Sequence, residues 1–339
     1  MGNQTDIMQR LRSELACALH EYAASAPSGP RPPYFRRWES IIDLYDIVKG
    51  NRPRTIGVYG TPKMGKSTLI NSLVQEQILP KGIKPVTGSV INLTRRKEAE
   101  EYTVASYRAD EDGNNTLYQV FKHPKVEKVY EYLERVACRN DPADQIEVSG
   151  DFPNSLFEDH YRLRDTPGAI TTEAVNSTLN RDSQRALAAL EDVCLPIYCV
   201  CSETMQGKDH VNYYKKCFSD RLCLCVITKC DDYSEDERLE LINTFRSDYG
   251  VQDADVPIIC TGKDKIEDPF LSKDSLGELK KAIQSILSEK TVERLLRSSC
   301  DSLLEQANSR SGLGWRVPEC TKESIDEILR KLKGNNNRP

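Results

Sequence analysis

Short apolar runs alternate with amphipathic segments through the central part of the chain. The first run, Thr55–Tyr59, precedes a stretch with helical spacing at residues 66–77. Four later runs have the length and composition of strands: YRLRD at 161–165, LPIYCVC at 195–201, LCLCVIT at 222–228 and VPIIC at 256–260. Helical spacing follows three of them, at 182–191, 209–218 and 235–249. This alternation predicts an α/β fold in which helices cover both faces of a mostly parallel central sheet.

Amphipathic helices are predicted near both ends of the chain. Residues 6–22 place their apolar side chains on one stripe, and a second such stretch covers 35–49, after a linker rich in Pro and Gly. Apolar residues recur at helical spacing from Ser275 onward, and a last helix is predicted over 324–332. We expect these segments to form a small helical bundle. The chain is thereby divided into three parts: residues 1–50, 51–270 and 271–339.

Composition and charge indicate which partners and which cellular compartment to expect. The 339 residues include 47 basic and 52 acidic side chains, which gives a net charge of −5 with both signs interspersed. Nucleic acid is not expected as the main partner, because such binding needs a basic face. No apolar leader opens the chain, and no apolar run is long enough to span a bilayer. We therefore expect a cytoplasmic protein whose cysteines stay reduced.

The segment YGTPKMGKST, residues 59–68, has the spacing of a phosphate-binding loop. The pattern G-x-x-x-x-G-K-[ST] is matched by Gly60, Gly65, Lys66 and Ser67, between a predicted strand and a predicted helix. Glycines let the backbone turn tightly, so that successive N–H groups point inward and the helix presents its positive end to the phosphates. Lys66 is predicted to reach the β and γ phosphates. The predicted nucleotide contacts in this loop also include Lys63, Met64 and Thr68.

A second pattern indicates which base is bound. The run LCLCVIT ends in T-K-C-D, which matches [NT]-K-x-D. The Asp231 carboxylate can accept hydrogen bonds from both N1–H and the exocyclic amine of guanine, a donor pair that adenine lacks. The aliphatic stem of Lys229 would lie along the purine, and the segment C-T-G-K after VPII would support the base through backbone N–H groups. The predicted guanine-binding residues are Thr228, Lys229, Asp231, Thr261, Gly262 and Lys263.

Two further segments are predicted to close around Mg²⁺ and the γ phosphate. The strand YRLRD runs into D-T-P-G, where the Asp165 carboxylate would hold the metal through water and the Gly168 N–H would meet the phosphate. Thr87 lies downstream of Ser67 in the proline-flanked segment LPKGIKPVTGSVINLT, where its hydroxyl could close on the metal. The predicted Mg²⁺ ligands are therefore Ser67, Thr87 and Asp165.

These elements occur in the order expected of Ras-like P-loop GTPases, and the chain resembles the dynamin superfamily of large GTPases. The resemblance rests on LPKGIKPVTGSV around Thr87 and on VSGDFPNSLFEDHYRLRDTPGAI. It also rests on the long interval from Thr87 to Asp165, which leaves room for an extra strand at 101–107 and a helix at 125–138. By motif order it covers roughly residues 50–270. The resemblance implies hydrolysis of GTP to GDP with Mg²⁺, a homodimer or oligomer through the G domain, and a peripheral membrane or protein partner.

The phosphate loop departs from that family at two places. Dynamin-like proteins usually carry Gln and then Ser at the third and fourth loop positions, where this chain has Pro62 and Lys63. Guanylate-binding proteins, of the same superfamily, place a catalytic arginine at the fourth position. We therefore expect Lys63 to act in catalysis with Lys66 and Thr87, by placing positive charge near the transition state. The alternative is a lysine that merely faces solvent.

Other functions stay open at this stage. Pro62 favours a slow or non-hydrolysing GTP-dependent switch or scaffold. Immunity-related GTPases are a second alternative, since they too flank the G domain with helices. A small-molecule kinase is disfavoured by the T-K-C-D pattern. The terminal helices either sense the nucleotide state, as the signalling bundle of the dynamin superfamily does, or only bury their apolar faces.

Overall fold

The computed structural model describes two compact units, one built from residues 1–52 and 285–339 and the other from residues 53–284. The described residues are 3–25, 38–39, 41–46, 54–80, 89–109, 115–137, 143–153, 155, 161–168, 185–186, 188–190, 193–219, 223–251, 257–265, 267–308 and 319–335. Thr87 and nearly all of the linker before residue 35 therefore lie outside the described residues, as does part of the helix predicted at 182–191.

Nine strands form one sheet within the described part of the larger unit. They are β1 (Arg54–Tyr59), β2 (Val90–Arg95), β3 (Tyr102–Ala109), β4 (Asn115–His123), β5 (Gln145–Gly150), β6 (Tyr161–Asp165), β7 (Leu195–Cys201), β8 (Leu224–Thr228) and β9 (Ile258–Cys260). Their spatial order is β4-β3-β5-β2-β6-β1-β7-β8-β9. The pairs from β6 through β1, β7 and β8 to β9 are parallel, as is β2 with β5. Antiparallel pairs join β2 to β6 and β3 to both of its neighbours.

Helices lie in both units. They are α1 (Asn3–Ser25), α2 (Lys66–Val74), α3 (Val126–Ala137), α4 (Lys208–Cys217), α5 (Glu235–Tyr249), α6 (Lys273–Ile286), α7 (Glu289–Asn308) and α8 (Glu319–Asn335), with a short helical stretch at 41–46. Among the helices so described, none combines the length and the apolar character that crossing a membrane requires. The predicted α/β class with a mostly parallel sheet is confirmed.

The core of the larger unit lies around the central parallel strands. Every residue of β7 and β8 is buried, which explains why both strands are continuous apolar runs rather than alternating ones. An aromatic cluster centred on Tyr198 of β7 packs against rings from α4, α5 and the residue after α4: Tyr213, Tyr214, Phe218, Phe245 and Tyr249. This packing holds β7 and both helices in a fixed arrangement beside the phosphate loop.

The far end of the sheet is less covered. On β4 the side chains of Leu117, Tyr118 and Val120 are exposed, and within the described residues only one edge of this strand is paired. The register against β3 shifts, because Ser106 pairs with Gln119 while the next residue of β3 pairs with Leu117. Tyr118 is therefore an extra residue in β4, which makes a β-bulge. The guanidinium of Arg108 lies over the Tyr118 ring, 4.2 Å from its centroid.

The smaller unit is a helical bundle of N- and C-terminal segments, but most of α6, which was predicted to belong to the bundle, lies in the larger unit. Helix α8 contacts both α1 and α7. Ion pairs join Arg10 to Glu327, at 2.7 Å, and Arg12 to Asp46. The core of this unit consists of apolar side chains from the N- and C-terminal segments: Leu11, Trp38, Ile41, Leu44, Leu296, Ile325 and Ile328.

Candidate functional site

The four predicted site segments with described residues follow the carboxyl ends of β1, β6, β8 and β9. These strands are parallel to one another through β7, so their carboxyl ends lie at one edge of the sheet. In open α/β sheets, ligands bind in the crevice outside the carboxyl ends of the strands. The sheet order therefore brings the phosphate loop, D-T-P-G, T-K-C-D and T-G-K to a common edge.

The phosphate loop leaves β1 through a sharp turn. Gly60 has φ +145°, and a Cβ there would overlap the Cys199 carbonyl oxygen of β7. Only glycine therefore fits at this position. Lys63 has φ +67°, which is uncommon for a residue with a side chain, and its side chain is exposed. Gly65, with φ +81°, is the N-cap of α2, and no side chain caps the helix there. The first N–H groups of α2 are thus available for an anion.

Lys66 is buried within this loop. Its side chain is 7% exposed, and Nζ donates hydrogen bonds to the carbonyl oxygens of Gly60, at 3.0 Å, and Thr61, at 2.9 Å. Burial lowers the pKa of the Lys66 ammonium, and the nearby Asp165 carboxylate opposes that shift. The result is a concentrated positive charge beside the uncapped helix end.

Asp165 provides the opposite charge at the end of β6. Its side chain is fully buried, and Oδ2 accepts a hydrogen bond of 2.9 Å from the Ser67 hydroxyl. Burial raises the pKa of this carboxyl, whereas Lys66 and the Ser67 hydroxyl oppose the shift. Within the described residues Oδ1 has no hydrogen-bonding partner. A buried carboxylate oxygen without a partner is costly unless a cation or a donor meets it.

A carboxylate and a hydroxyl side by side fit a magnesium ion. Mg²⁺ prefers hard oxygen ligands and is usually bound through one or two protein oxygens together with phosphate and water. The partnerless oxygen of Asp165 and the adjacent Ser67 hydroxyl match that donor set. The third predicted ligand, Thr87, lies outside the described residues.

The D-T-P-G turn lies directly on the phosphate loop. Thr166 donates a hydrogen bond of 2.7 Å to the carbonyl oxygen of Val58, which fixes the turn to β1. A Cβ on Gly168 would come within 2.7 Å of both the Pro62 nitrogen and its ring, so only a glycine fits against Pro62 in this arrangement. Pro62, the residue that departs from the dynamin pattern, is thus the one that the turn touches.

Thr228 connects the T-K-C-D segment to the phosphate loop. Its hydroxyl lies 3.1 Å from the Met64 carbonyl oxygen and 3.3 Å from that of Val200, both of which can accept its proton. Met64 is itself buried, and its sulfur accepts a hydrogen bond from the Cys201 N–H at 3.2 Å. Met64 and Thr228 therefore hold the loop against β7 and β8. Lys229 is exposed, with φ +59°.

The T-K-C-D and T-G-K segments are joined to each other. The Asp231 carboxylate accepts a hydrogen bond from the Lys263 N–H. The buried Thr261 donates its N–H to the Ile227 carbonyl oxygen at 2.8 Å, and the Gly262 N–H is bound by the Ser275 hydroxyl at 3.0 Å. The two segments predicted to bind the base therefore form one connected surface. The remaining predicted residue, Thr68, lies in the first turn of α2.

One side chain at the loop was not selected by the sequence analysis. His210, in the first turn of α4, shares a hydrogen bond of 3.2 Å between Nδ1 and the Thr61 hydroxyl. Burial lowers the pKa of His210, and Asp209 opposes the shift. The histidine is isolated in the sequence, with no metal or triad spacing around it, so no local pattern signals this contact.

Sequence comparison relates the chain to a known family. A family profile described as "Dynamin family" matches residues 56–247, which is more than half of the chain. The match includes the phosphate loop, D-T-P-G and T-K-C-D. No curated protein sequence matches the chain.

Solved structures of a bacterial dynamin pair are similar in fold. Two of them belong to work on an oligomerised pair that provides a mechanism for the long-range sensing and tethering of membranes. Their TM-scores are 0.52 and 0.50, and both are 14% identical to this chain in sequence. The matches cover 98% and 99% of this chain, but the chain spans only 49% and 60% of the length of those proteins. At this identity the likeness shows the shared fold alone.

Proposed function

Because this chain belongs to the dynamin family, we propose that it binds GTP with Mg²⁺ and hydrolyses the nucleotide to GDP. The observation that carries the proposal is the arrangement of the buried Lys66 and Asp165 around the Ser67 hydroxyl, where the start of α2 meets the end of β6. It combines a cation for phosphate oxygens with a hydroxyl and a carboxylate oxygen for a metal ion. Lys66 and Asp165 partly compensate each other's charge, but the Asp165 oxygen without a partner and the ammonium beside the uncapped helix end both favour a charged ligand.

The phosphates would be bound by the loop from Gly60 to Thr68. The uncapped N–H groups at the start of α2 would donate to phosphate oxygens. Lys66 would exchange its bonds to the loop carbonyls for bonds to the β and γ phosphates. Ser67, Asp165 and Thr87 would hold Mg²⁺, which supplies positive charge that neutralises the phosphate oxygens during transfer.

The base would be bound by the connected T-K-C-D and T-G-K segments. Asp231 would accept two hydrogen bonds from guanine, and the backbone of Thr261 to Lys263 would support the ring. The Asp231 carboxylate accepts a hydrogen bond from the Lys263 N–H, which keeps it oriented. An oriented acceptor loses less conformational entropy when the ligand arrives.

Hydrolysis would depend on positioning and charge. Phosphoryl transfer asks for little more than alignment and charge stabilisation. Lys66, Lys63 and Thr87 are the proposed catalytic residues. We place the chemistry in the G domain at residues 51–270, with the terminal helices responding to the nucleotide state.

Nucleotide titration tests the proposal. Fluorescent GDP and GTP analogues should bind the purified chain in the presence of Mg²⁺. The adenine analogues should bind roughly a hundredfold more weakly, because the Asp231 carboxylate would face a base without the matching donor pair. Release of inorganic phosphate from GTP measures hydrolysis in the same samples. Equal affinity for adenine and guanine nucleotides would contradict the assignment of Asp231.

A slow switch is the second candidate, and one contact favours it. Pro62 has no N–H to donate, and its ring packs on Gly168, the residue proposed to meet the γ phosphate. The bacterial dynamins of similar fold form an oligomerised pair that tethers membranes. Self-association, or a peripheral membrane contact, is proposed for this chain by analogy. Tight GTP binding with turnover near zero at every protein concentration, with or without lipid vesicles, would favour the switch.

Lys63→Ala is expected to lower the turnover number by about tenfold or more, because a charge that acts on the transition state contributes to kcat rather than to ground-state binding. The change keeps a Cβ, so the positive φ of this position is no more strained than before. Phosphate release under saturating GTP, measured with and without potassium, provides the readout. Potassium should restore part of the loss if a cation is what the variant lacks.

Two further variants complete this measurement. Lys63→Arg keeps the charge and should keep most of the turnover. Lys122→Ala removes an exposed lysine at the far end of the sheet, on β4, and should change nothing. Unchanged turnover of Lys63→Ala in both buffers would leave Lys63 as a solvent-facing side chain.

A further inference from the structure

The turn that carries the proposed guanine acceptor is held by a side chain from outside the T-K-C-D motif. Arg238, the fourth residue of α5, donates a hydrogen bond of 2.8 Å from Nη2 to the Cys230 carbonyl oxygen and one of 3.1 Å from Nε to the Tyr233 carbonyl oxygen. The two acceptors lie on either side of Asp231 and Asp232 in the sequence. Arg238 therefore joins both ends of the turn.

The two carbonyls before this turn are bound from the end of β7. Ser202, the residue after that strand, donates its N–H to the Thr228 carbonyl oxygen and its hydroxyl to that of Lys229, both at 3.0 Å. Lys229 has φ +59°, and a residue with a side chain keeps such a conformation only where its surroundings impose it. Three successive carbonyls of T-K-C-D are thus bound by groups outside the motif, and the last of them, that of Cys230, is bound by Arg238.

The start of α5 gives the Arg238 side chain a fixed base. A capping box between Ser234 and Glu237 begins the helix, and the Arg238 N–H donates to the Ser234 carbonyl oxygen at 3.0 Å. The Arg238 carbonyl oxygen in turn accepts a hydrogen bond of 3.6 Å from the thiol of Cys260, the residue before T-G-K. Hydrogen bonds from a guanidinium are charge-assisted and stronger than neutral ones. Arg238 thus connects a rigid helix to both segments proposed to bind the base.

Asp231 has little freedom to compensate for a movement of this backbone. Its carboxylate accepts the Lys263 N–H, and a Cβ on Gly262 would lie 2.9 Å from both the nitrogen and the Cα of Asp231. The Cys230 carbonyl that Arg238 binds belongs to the same planar peptide unit as the Asp231 N–H. The orientation of that unit sets the φ of Asp231 and hence the direction of its carboxylate.

We propose that Arg238 is a positioning residue for base recognition, whose two hydrogen bonds keep the Asp231 carboxylate in line with both donors of guanine and thereby set the preference for guanine over hypoxanthine. Hypoxanthine keeps N1–H but lacks the exocyclic amine, so it offers one donor where guanine offers two. Two parallel hydrogen bonds require a fixed carboxylate, whereas a single bond can follow a carboxylate that moves. The effect on base preference rests on the proposed function of the site, and the hold on the turn stands on the hydrogen bonds alone.

Hydrogen exchange of the chain without nucleotide tests the hold on the turn. Arg238→Met keeps an unbranched apolar stem and removes both donors. We expect the backbone amides of residues 228–234 to exchange about tenfold faster than in the wild-type chain, because the closed turn loses two hydrogen bonds. Arg246→Met, in the last turn of α5, is the matched control and should leave this peptide unchanged. Unchanged exchange in Arg238→Met, or equally faster exchange in both variants, would overturn the proposal.

Competition of GDP and inosine diphosphate against a fluorescent GDP analogue tests the consequence. In the wild-type chain GDP should bind about tenfold or more tightly than inosine diphosphate, which is the effect of one charged hydrogen bond, and Arg238→Met should lower this ratio to about threefold or less. Arg238→Lys restores a charged donor that can reach one of the two carbonyls, so its ratio should lie between those values. Arg246→Met should keep the wild-type ratio.

The ratio of the two affinities separates positioning from stability. A variant that is only partly folded loses affinity for both nucleotides by the same factor, so its ratio does not change. Equal loss for both nucleotides in Arg238→Met, or a ratio that falls equally in Arg246→Met, would therefore overturn the proposal. A wild-type chain that binds GDP no better than ADP would instead contradict the proposed function, while hydrogen exchange would still report on the turn.

Discussion

Asp231→Asn is expected to change the preferred base from guanine to xanthine. An aspartate carboxylate can only accept hydrogen bonds, which matches the two donors of guanine, N1–H and the exocyclic amine. Xanthine keeps N1–H but carries a carbonyl oxygen in place of the amine, and the asparagine amide offers one acceptor and one donor for that edge. Affinity for GDP should fall by roughly a hundredfold, since a donor pair loses its charged acceptor, and affinity for xanthosine diphosphate should rise by a similar factor.

The change in base preference is measured by competition of GDP and xanthosine diphosphate against a fluorescent nucleotide analogue. Asp232→Asn is the matched control, because it makes the same chemical change at the neighbouring, exposed position. It should leave both affinities unchanged. A folded Asp231→Asn chain that still prefers GDP to the same degree would show that the carboxylate does not meet the base.

Lys66→Ala is expected to abolish measurable binding of GDP and GTP, a loss of at least about a hundredfold, because the ammonium would supply charge-assisted hydrogen bonds to two phosphates. The substitution also removes the two bonds from Nζ to the loop carbonyls and leaves the buried Asp165 without its neighbouring cation. Circular dichroism and thermal unfolding must therefore accompany the titration. Lys122→Ala, on β4, is the control.

Ser67→Ala tests whether Lys66, Ser67 and Asp165 bind a ligand or only stabilise the fold. This variant keeps the Lys66 ammonium and removes only the hydroxyl that bonds Asp165. It should weaken the dependence of GTP affinity on Mg²⁺ while the fold persists. If Lys66→Ala proves unfolded, this second variant still decides whether the pair of Ser67 and Asp165 belongs to a metal site. Nucleotide affinity that keeps its full Mg²⁺ dependence in Ser67→Ala would contradict the proposal.

The central strands and the family could be predicted from the sequence because their signals are local. LPIYCVC and LCLCVIT are apolar along their whole length, since neighbouring strands and helices bury both faces, and that pattern is visible without any partner. Helix α5 has the bounds predicted for it, with a Ser234–Glu237 capping box at its start and Gly250 at its end. The dynamin resemblance, carried by motif spacing, is confirmed by the family match.

Strands β2 and β4 are among those whose bounds were not predicted from the sequence, for different reasons. The residues of β2 lie in a segment that the motif analysis treated as the loop around Thr87, and their role as a strand depends on β5 and β6, which come much later in the chain. Strand β4 is exposed along most of its length, so burial imposes no alternation of apolar and polar residues on it. In both cases the determining information is the distant partner rather than the local sequence.

The same contrast between local signals and distant partners applies to the residues of the candidate site. The residues that belong to a spaced motif were found, and their roles toward the nucleotide stay predictions. The contact of His210 with Thr61 was not found, because it joins residues from different segments that only the fold brings together. Pro62 was noted as a departure, but its packing on Gly168 depends on where D-T-P-G comes to lie.

The bulge in β4 bears on how the chain behaves at high concentration. Within the part of the chain that the structure describes, β4 has one unpaired edge, and its apolar side chains include Leu117 and Val120. Such a strand is a template on which a strand of another molecule can add, and repeated addition leads to aggregation. The extra residue, Tyr118, interrupts the regular spacing of backbone groups and increases the local twist, so an incoming strand cannot pair along the full length. A single inserted tyrosine is therefore expected to limit association of chains through this edge of the sheet.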